Sequence, residues 1–188
     1  MTNPQNAGAA VTRNRAISSA TGKYLAFLDA DDLWENQKLE EHLKFMEEIG
    51  CSMSFTPYRI MTKDGRDSGR EIDTHAPTSV DYQAMLKKEA TMGCSTVILN
   101  RELLPKIEMP NLRTGQDYAL WLSLLRRGAV SVKFPKPLTR YRITPGSISR
   151  NKLRKASRQW QIYRDFEGLG VFRSSWYFVN YAVRAIVR

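Results

Sequence analysis

Histidine and cysteine are scarce in this sequence: His42, His75, Cys51 and Cys94 are its only examples. Two separated thiols form neither a disulfide framework nor a zinc motif, and they suit a reducing compartment. No uninterrupted apolar run is long enough to cross a bilayer; the most apolar stretch, Trp176 to Val187, is broken by Asn180 and Arg184. The opening residues lack the charged segment followed by an apolar one that marks a secretory signal. Acids are in deficit too: 19 Asp and Glu stand against 29 Lys and Arg, a net charge of +10. That imbalance points to an anionic partner, whether nucleic acid, a phosphorylated ligand or a membrane surface. Internal repeats and low-complexity linkers are missing, and 188 residues suffice for one sizeable domain with its own core.

Helical and strand patterns alternate along the chain, which argues for the α/β class. Residues 7–22 read as a helix stopped by Gly22, and residues 23–29 as a short buried strand. Leu39, Leu43, Met46 and Ile49 recur at helical spacing and predict a helix with that apolar face, closed by Gly50. Residues 51–62 read as a strand, and Asp64-Gly65 as a turn. Ser79 is the expected N-cap of a short helix. Further strands are expected over 94–100, 130–134 and 138–143. An amphipathic helix is expected over 116–128, with Leu120, Leu124 and Leu125 on one face and Gly128 closing it. From Lys152 onward the chain becomes helical, basic and aromatic.

Negative charge is concentrated at one place. Asp29, Asp31 and Asp32 follow directly on the apolar segment 24–28, and like charges this close repel unless something positive lies between them. If the strand continues through them, its alternation points Asp29 and Asp31 the same way. They then stand side by side at a strand's C-terminal end, where open α/β sheets bind ligands. Such a pair suits a hard divalent cation, Mg²⁺ or Mn²⁺, that keeps positions for phosphate oxygens. The plainer alternative is an acidic turn, with Asp32 capping the following helix.

The wider context resembles family 2 of the glycosyltransferases. Asn6 and Gly8, Arg13 and Asn14, Ala20 and Gly22, then Asp29, Asp31, Asp32 and Trp34 follow the family's order. That order is Asn-x-Gly, Arg-Asn, Ala-x-Gly, then Asp-x-Asp-Asp and an aromatic. A second block, residues 114–128, resembles the family's helix that carries the catalytic base, with Asp117 at the base position and Gln116 where Glu is common. The resemblance implies a GT-A fold, a Rossmann-like mixed sheet with flanking helices. It implies inverting transfer of a sugar from a UDP- or GDP-sugar to a saccharide or lipid-linked acceptor, in bacterial surface polysaccharide or glycolipid assembly. Carried over residue by residue, it makes Asp117 the base and assigns Asn6, Gly8, Arg13 and Asp29 to the nucleotide donor. Asp31, with Asp29, would hold Mg²⁺ or Mn²⁺, and Gly115, Gln116 and Trp121 would face the acceptor. Thr144 stands where the family often has His, which leaves Arg140 or Arg142 to supply positive charge near the diphosphate; Arg142 is assigned to the donor. Plainer roles stand beside these: Arg13 as a solvated helix residue, Asp117 as an acid favoured by a helix dipole, Trp34 and Trp121 as packing aromatics.

Members of this family open with a strand, a helix and a second strand that hold most of the base and ribose pocket. That portion does not precede Asn6, so the sequence reads as an N-terminally truncated member. The expected division is a partial GT-A catalytic domain over 1–150 and a basic-aromatic segment of amphipathic helices over 151–188. A sheet edge left open by the truncation invites a homodimer. The basic-aromatic segment suits a helix lying on an anionic membrane, which sets the expected location as cytoplasmic, peripheral to the inner face of the plasma membrane. The alternative is a helix pair packed on the catalytic part with a solvated basic face. No recognition motif accompanies the aromatics, so nucleic acid is not an expected partner. The rival function is a catalytically inactive remnant that serves as a membrane-associated or partner-binding domain.

Overall fold

The Ala-rich stretch near the start forms helix α1, Gly8–Ser19, with Ala10 and Ile17 turned into the core. This computed structural model describes residues 7–104, 106–144 and 152–187. The stop of α1 differs from the sequence expectation. Ala20, not Gly22, breaks the helix by turning extended, while its N–H still donates to the carbonyls of Ala16 and Ile17. The chain must enter a strand here, and an extended ψ supplies that where a left-handed cap would not.

Two mixed sheets follow. The first contains β1 (Tyr24–Ala26), β3 (Met53–Phe55), β6 (Ser79–Val80), β7 (Val97–Asn100) and β8 (Ser131–Lys133), in the order β1-β7-β3-β8-β6. Only β3 and β8 run parallel in it. The second contains β2 (Leu33–Trp34), β4 (Tyr58–Met61), β5 (Asp67–Ile72) and β9 (Thr139–Arg142), in the order β2-β9-β4-β5. The single strand expected over 51–62 is therefore two, one in each sheet, parted by Thr56 and Pro57. Proline has no N–H for a ladder, so the sheet changes there. Asp64-Gly65 makes the expected turn of the β4–β5 hairpin, with Gly65 at φ +81°.

Helix α2, Lys38–Ile49, ends at Gly50 in the left-handed region, as expected. Its buried face is only partly the expected one: Met46 is buried and Leu43 half-buried. Lys38, His42 and Met46 point inward, while Leu39 and Ile49 are exposed. The reason lies in β3 beneath it. Ser54 and Thr56 alternate with Met53 and Phe55, so hydroxyls face α2: His42 Nε2 is 2.7 Å from Ser54 Oγ, and Lys38 Nζ is 3.5 Å from Thr56 Oγ1. A leucine ridge would have set apolar side chains against those hydroxyls and removed one hydrogen-bond partner from each.

Helix α3, Tyr82–Leu86, is capped by Asp81 rather than Ser79; the Asp81 carboxylate accepts from Ala84 N at 2.8 Å, and Ser79 lies in β6. Helix α4, Gln116–Arg126, is buried on nearly every side and closes at Gly128, φ +95°. After it come α5 (Lys152–Gln161), a π-helical turn (Ile162–Phe166) and α6 (Val171–Val187). The apolar core of the first sheet and α4 continues into this segment through Ile162, Tyr163, Leu169 and Tyr177. Hydroxyls fix the contact with α3: Tyr163 donates to Leu86 O at 2.6 Å, Tyr177 to Gln83 Oε1, and Tyr82 to Glu167 Oε2 at 2.6 Å.

Candidate active site

The three acids do not lie on a strand. β1 stops at Ala26, and Asp32 N donates to Asp29 O at 3.0 Å, closing a turn over Asp29–Asp32. The side-by-side arrangement expected from alternation is therefore replaced by a turn that sends each carboxylate elsewhere. Asp29 is half-buried and ion-paired with Arg13 of α1. Asp32 is 4% exposed and accepts from Ser95 Oγ at 2.6 Å and from Arg142 N at 3.0 Å. Burial pushes its pKa up to about 6, against the lowering by those two hydrogen bonds. Asp31 points outward, and among the described residues no hydrogen bond or ion pair engages its carboxylate. Repulsion is thus relieved by one ion pair, one buried hydrogen-bonded site and one solvated site.

Ser95, in the turn of 3₁₀ helix Cys94–Thr96 before β7, holds this turn together and was not singled out from the sequence. Its hydroxyl accepts from Asp29 N at 3.0 Å and donates to Asp32; its carbonyl accepts from Trp34 Nε1 at 2.8 Å and Thr139 Oγ1 at 3.2 Å. No local signal marks such a residue. Ser95→Ala leaves a buried Asp32 oxygen and the Asp29 amide short of a partner, so it is expected to destabilise the fold by about 1–3 kcal/mol. Urea unfolding at neutral pH measures this, and a midpoint equal to that of the wild type would refute the role.

The two arginines considered for the diphosphate bind the protein itself. Arg142 donates from Nε to Asp31 O and from Nη1 to Lys63 O, both at 2.8 Å, pinning the acidic turn to the β4–β5 hairpin. Arg140 forms a two-point pair with Glu35, Nε to Oε1 at 2.8 Å and Nη2 to Oε2 at 3.1 Å. That pairing pulls Glu35 below the ordinary glutamate range.

Asp117 lies in the first turn of α4, half-buried, with Oδ1 accepting from Tyr118 N at 2.8 Å. Gly115 precedes it at φ +72°, and a Cβ there would meet Ile162 Cδ1 at 3.2 Å, so both backbone and packing call for glycine. Asp29 and Asp117 both act electrostatically on Arg13, and both act on the Cys94 thiol, which burial first and these acids next push upward. Residues far apart in sequence thus converge: α1 supplies Arg13, the acidic turn Asp29, and α4 Asp117. Asn14, next to Arg13, clamps the loop that leads to α4, exchanging hydrogen bonds with the amide and carbonyl of Met109, each 2.7 Å.

The remaining assigned residues are not all brought to this place. Gly8 opens α1 at φ +81°, and Asn6 lies outside the described residues. Gln116 is 7% exposed, and its buried Oε1 has no partner among the described residues. Trp121 is 0% exposed, donates from Nε1 to Met92 O at 3.0 Å and meets Phe27 edge-on. It is in the core, where an acceptor on the protein surface does not reach it. A cleft of about 470 Å³ lies between α1, α4 and the loop 106–111, and none of the three clustered acids lines it.

The donor chemistry fits a hard divalent cation of a particular kind. Asp31 offers free oxygens, Asp29 keeps one oxygen outside its pair with Arg13, and Asp32 has both oxygens engaged. Among the described residues no group of three metal-ligating side chains gathers. Such a set suits Mg²⁺ or Mn²⁺ that takes most of its ligands from phosphate and water.

Comparison with known proteins gives a consistent picture. The profile of Glycosyl transferase family 2 matches residues 1–107. A relative from Bacillus subtilis (strain 168), "Putative teichuronic acid biosynthesis glycosyltransferase TuaG", is 45% identical over 182 residues, which span 97% of this chain and 71% of that protein. The Escherichia coli "UDP-Glc:alpha-D-GlcNAc-diphosphoundecaprenol beta-1,3-glucosyltransferase WfgD" is 35% identical over 187 residues, 99% of this chain and 71% of its own length. Among solved structures, S. aureus TarS 1–349 in complex with UDP-GlcNAc aligns with a TM-score of 0.63 at 18% identity, over 84% of this chain and 45% of that one. The last likeness establishes the GT-A type of fold.

Proposed function

The chain belongs to Glycosyl transferase family 2, and from that premise we propose that it moves a sugar, with inversion, from a nucleoside diphosphate donor to a saccharide or lipid-linked acceptor. The convergence of Arg13, Asp29 and Asp117, with the exposed Asp31 in the same turn as Asp29, carries this reading. Asp117 takes the proton of an acceptor hydroxyl as that oxygen attacks the anomeric carbon. The bond from that carbon to the diphosphate oxygen breaks through an oxocarbenium-like state, and its electron pair leaves with the nucleotide. Asp31, with the open oxygen of Asp29, would hold Mg²⁺ or Mn²⁺, which stabilises the negative charge of the departing diphosphate. Arg13, fixed by Asp29, keeps a positive charge between the donor side and Asp117.

The activities and ligands of similar proteins favour particular substrates. WfgD is described as a UDP-Glc-dependent enzyme acting on a diphosphoundecaprenol-linked sugar, and TarS was solved with UDP-GlcNAc. For this chain we infer a UDP-sugar donor and a lipid-linked acceptor, in bacterial surface polysaccharide or glycolipid assembly. Work on such an acceptor would keep the protein peripheral to the inner face of the membrane. Among the described residues β1 has a ladder partner on one side only, β7, and a second copy adding strands there would form the homodimer.

Calorimetric titration with UDP and GDP, with and without Mn²⁺, tests the donor site. Metal-dependent UDP binding is expected, and Asp31→Ala should abolish the metal dependence, because its exposed carboxylate is the free ligand. A folded sample that binds neither nucleotide would favour the inactive remnant instead.

A further inference from the structure

Helix α6 is apolar on two opposite sides. Its inner side is accounted for: Tyr177 is buried, and Phe178 packs against Trp160 with ring centres 5.7 Å apart. On the other side Phe172, Trp176, Val179 and Val183 are 92%, 62%, 57% and 54% exposed. Their spacing of four, three and four keeps them on one stripe, which runs for roughly 17 Å at the helical rise. Scattered exposed apolar residues are ordinary, whereas a contiguous row marks an interaction surface.

We propose that this stripe is the face by which the protein lies on an anionic bilayer, with α6 in the plane of the interface. Charge selects lipid as the occupant. Residues 152–187 carry seven bases, of which Arg184 is paired with Glu89, and two acids, and neither α5 nor α6 contains an acid. One of the two acids, Glu167, is already taken up by Tyr82 and Arg126. Arg173 is exposed beside the stripe. Aromatic side chains with neighbouring bases combine apolar insertion with attraction to acidic headgroups. A second copy seated on this face would instead set two basic helical segments against each other.

The position of the stripe gives it a use, one that rests on the lipid-linked reading of the acceptor. α6 packs on α5 and the π-helical turn. Ile162 of that turn and Arg158 of α5 lie against Gly115, two residues before Asp117. A membrane on the outer face of α6 is therefore separated from the loop before Asp117 by α6 itself and by the layer of α5 and the π-helical turn. A carrier lipid held in that membrane would present its sugar on the side of the protein where this helical layer packs on Gly115.

Flotation with vesicles of phosphatidylcholine, with or without phosphatidylglycerol, tests this surface, and tryptophan emission follows insertion of Trp176. Wild type is expected to float with the phosphatidylglycerol vesicles and to shift its emission to the blue. The double variant Phe172→Ser, Trp176→Ser should partition roughly a hundredfold less, from the loss of two large apolar side chains. Both sites are exposed, so its melting temperature should match that of wild type. Failure of wild type to float, equal flotation of the variant, or a stripe-dependent dimer in light scattering that does not float would each overturn the proposal. UDP titration of the same samples reads the donor site separately. Lost flotation with intact UDP binding sinks this inference alone, and flotation without UDP binding supports it while sinking the transferase reading.

Discussion

Asp117→Asn should lower sugar transfer from a UDP-sugar by about 10²–10⁴-fold while leaving UDP affinity close to that of wild type. The substitution keeps the shape of the side chain and its oxygen. The hydrogen bond from Tyr118 N to Oδ1 can persist, so the first turn of α4 stays in place. What disappears is the ability to accept a proton from the attacking hydroxyl. That loss acts in the transition state and not in donor binding, so it appears in kcat and leaves the binding constant alone. Arg13 sharpens the expectation, because it feels both Asp29 and Asp117. Removing one of those charges leaves the Asp29 ion pair to hold Arg13 beside the donor. Single-turnover transfer, run beside calorimetric titration with UDP, separates the two effects. A variant with the turnover of wild type, or one that loses UDP binding in step with rate, would remove Asp117 from the role of base.

Replacing Lys38 by methionine should stabilise the fold, by about 1–4 kcal/mol, the range seen when buried ionic groups give way to apolar ones of similar size. Lys38 is 0% exposed, and among the described residues no acid pairs with it; its ammonium has Thr56 Oγ1 at 3.5 Å, Thr96 O at 3.4 Å and the Trp34 ring near it. Burial lowers its pKa from 10.5 to about 7. The sign of the linkage follows. Between pH 7 and 10.5 the unfolded chain keeps a proton that the folded chain has released, so stability rises with pH. Buried Cys94 and the buried tyrosines hold their protons above the ordinary values of 9 and 10, which reverses the slope at higher pH. Wild type is thus expected to gain about 2 kcal/mol between pH 7 and 9 and to be most stable near pH 9. Below pH 7 two groups oppose one another. His42, lowered to about 3 by burial and then by Lys38, favours stability at higher pH. Asp32, raised to about 6, favours stability at lower pH. Lys38→Met should flatten the profile between pH 7 and 9. Urea midpoints across this range check it, and a variant that keeps the wild-type slope would show that the lysine is not its source.

Legible in the sequence were the main helices, most strands of the first sheet, two helix ends, the acidic cluster and the motif around Asp117 on α4. Each of these is local. Gly50 and Gly128 stop helices through their own φ, and Asp117 is recognised by its immediate neighbours. It also predicted that the tail would be helical, basic and aromatic. Tertiary structure decided the rest, because the deciding partners lie far away in the chain. Alternation within residues 24–32 cannot show that Ser95, 66 residues from Asp29, bends the acids into a turn. Nor can the spacing of leucines in α2 show that the facing strand presents Ser54 and Thr56, which draw Lys38 and His42 inward. In the tail the same limit separates the aromatics. Tyr163 and Tyr177 find polar partners on α3 and turn in, while Phe172 and Trp176 have none there and remain on the outer face. A hydrophobic residue in a local pattern announces that it will pack; only the opposing surface fixes which side it packs on.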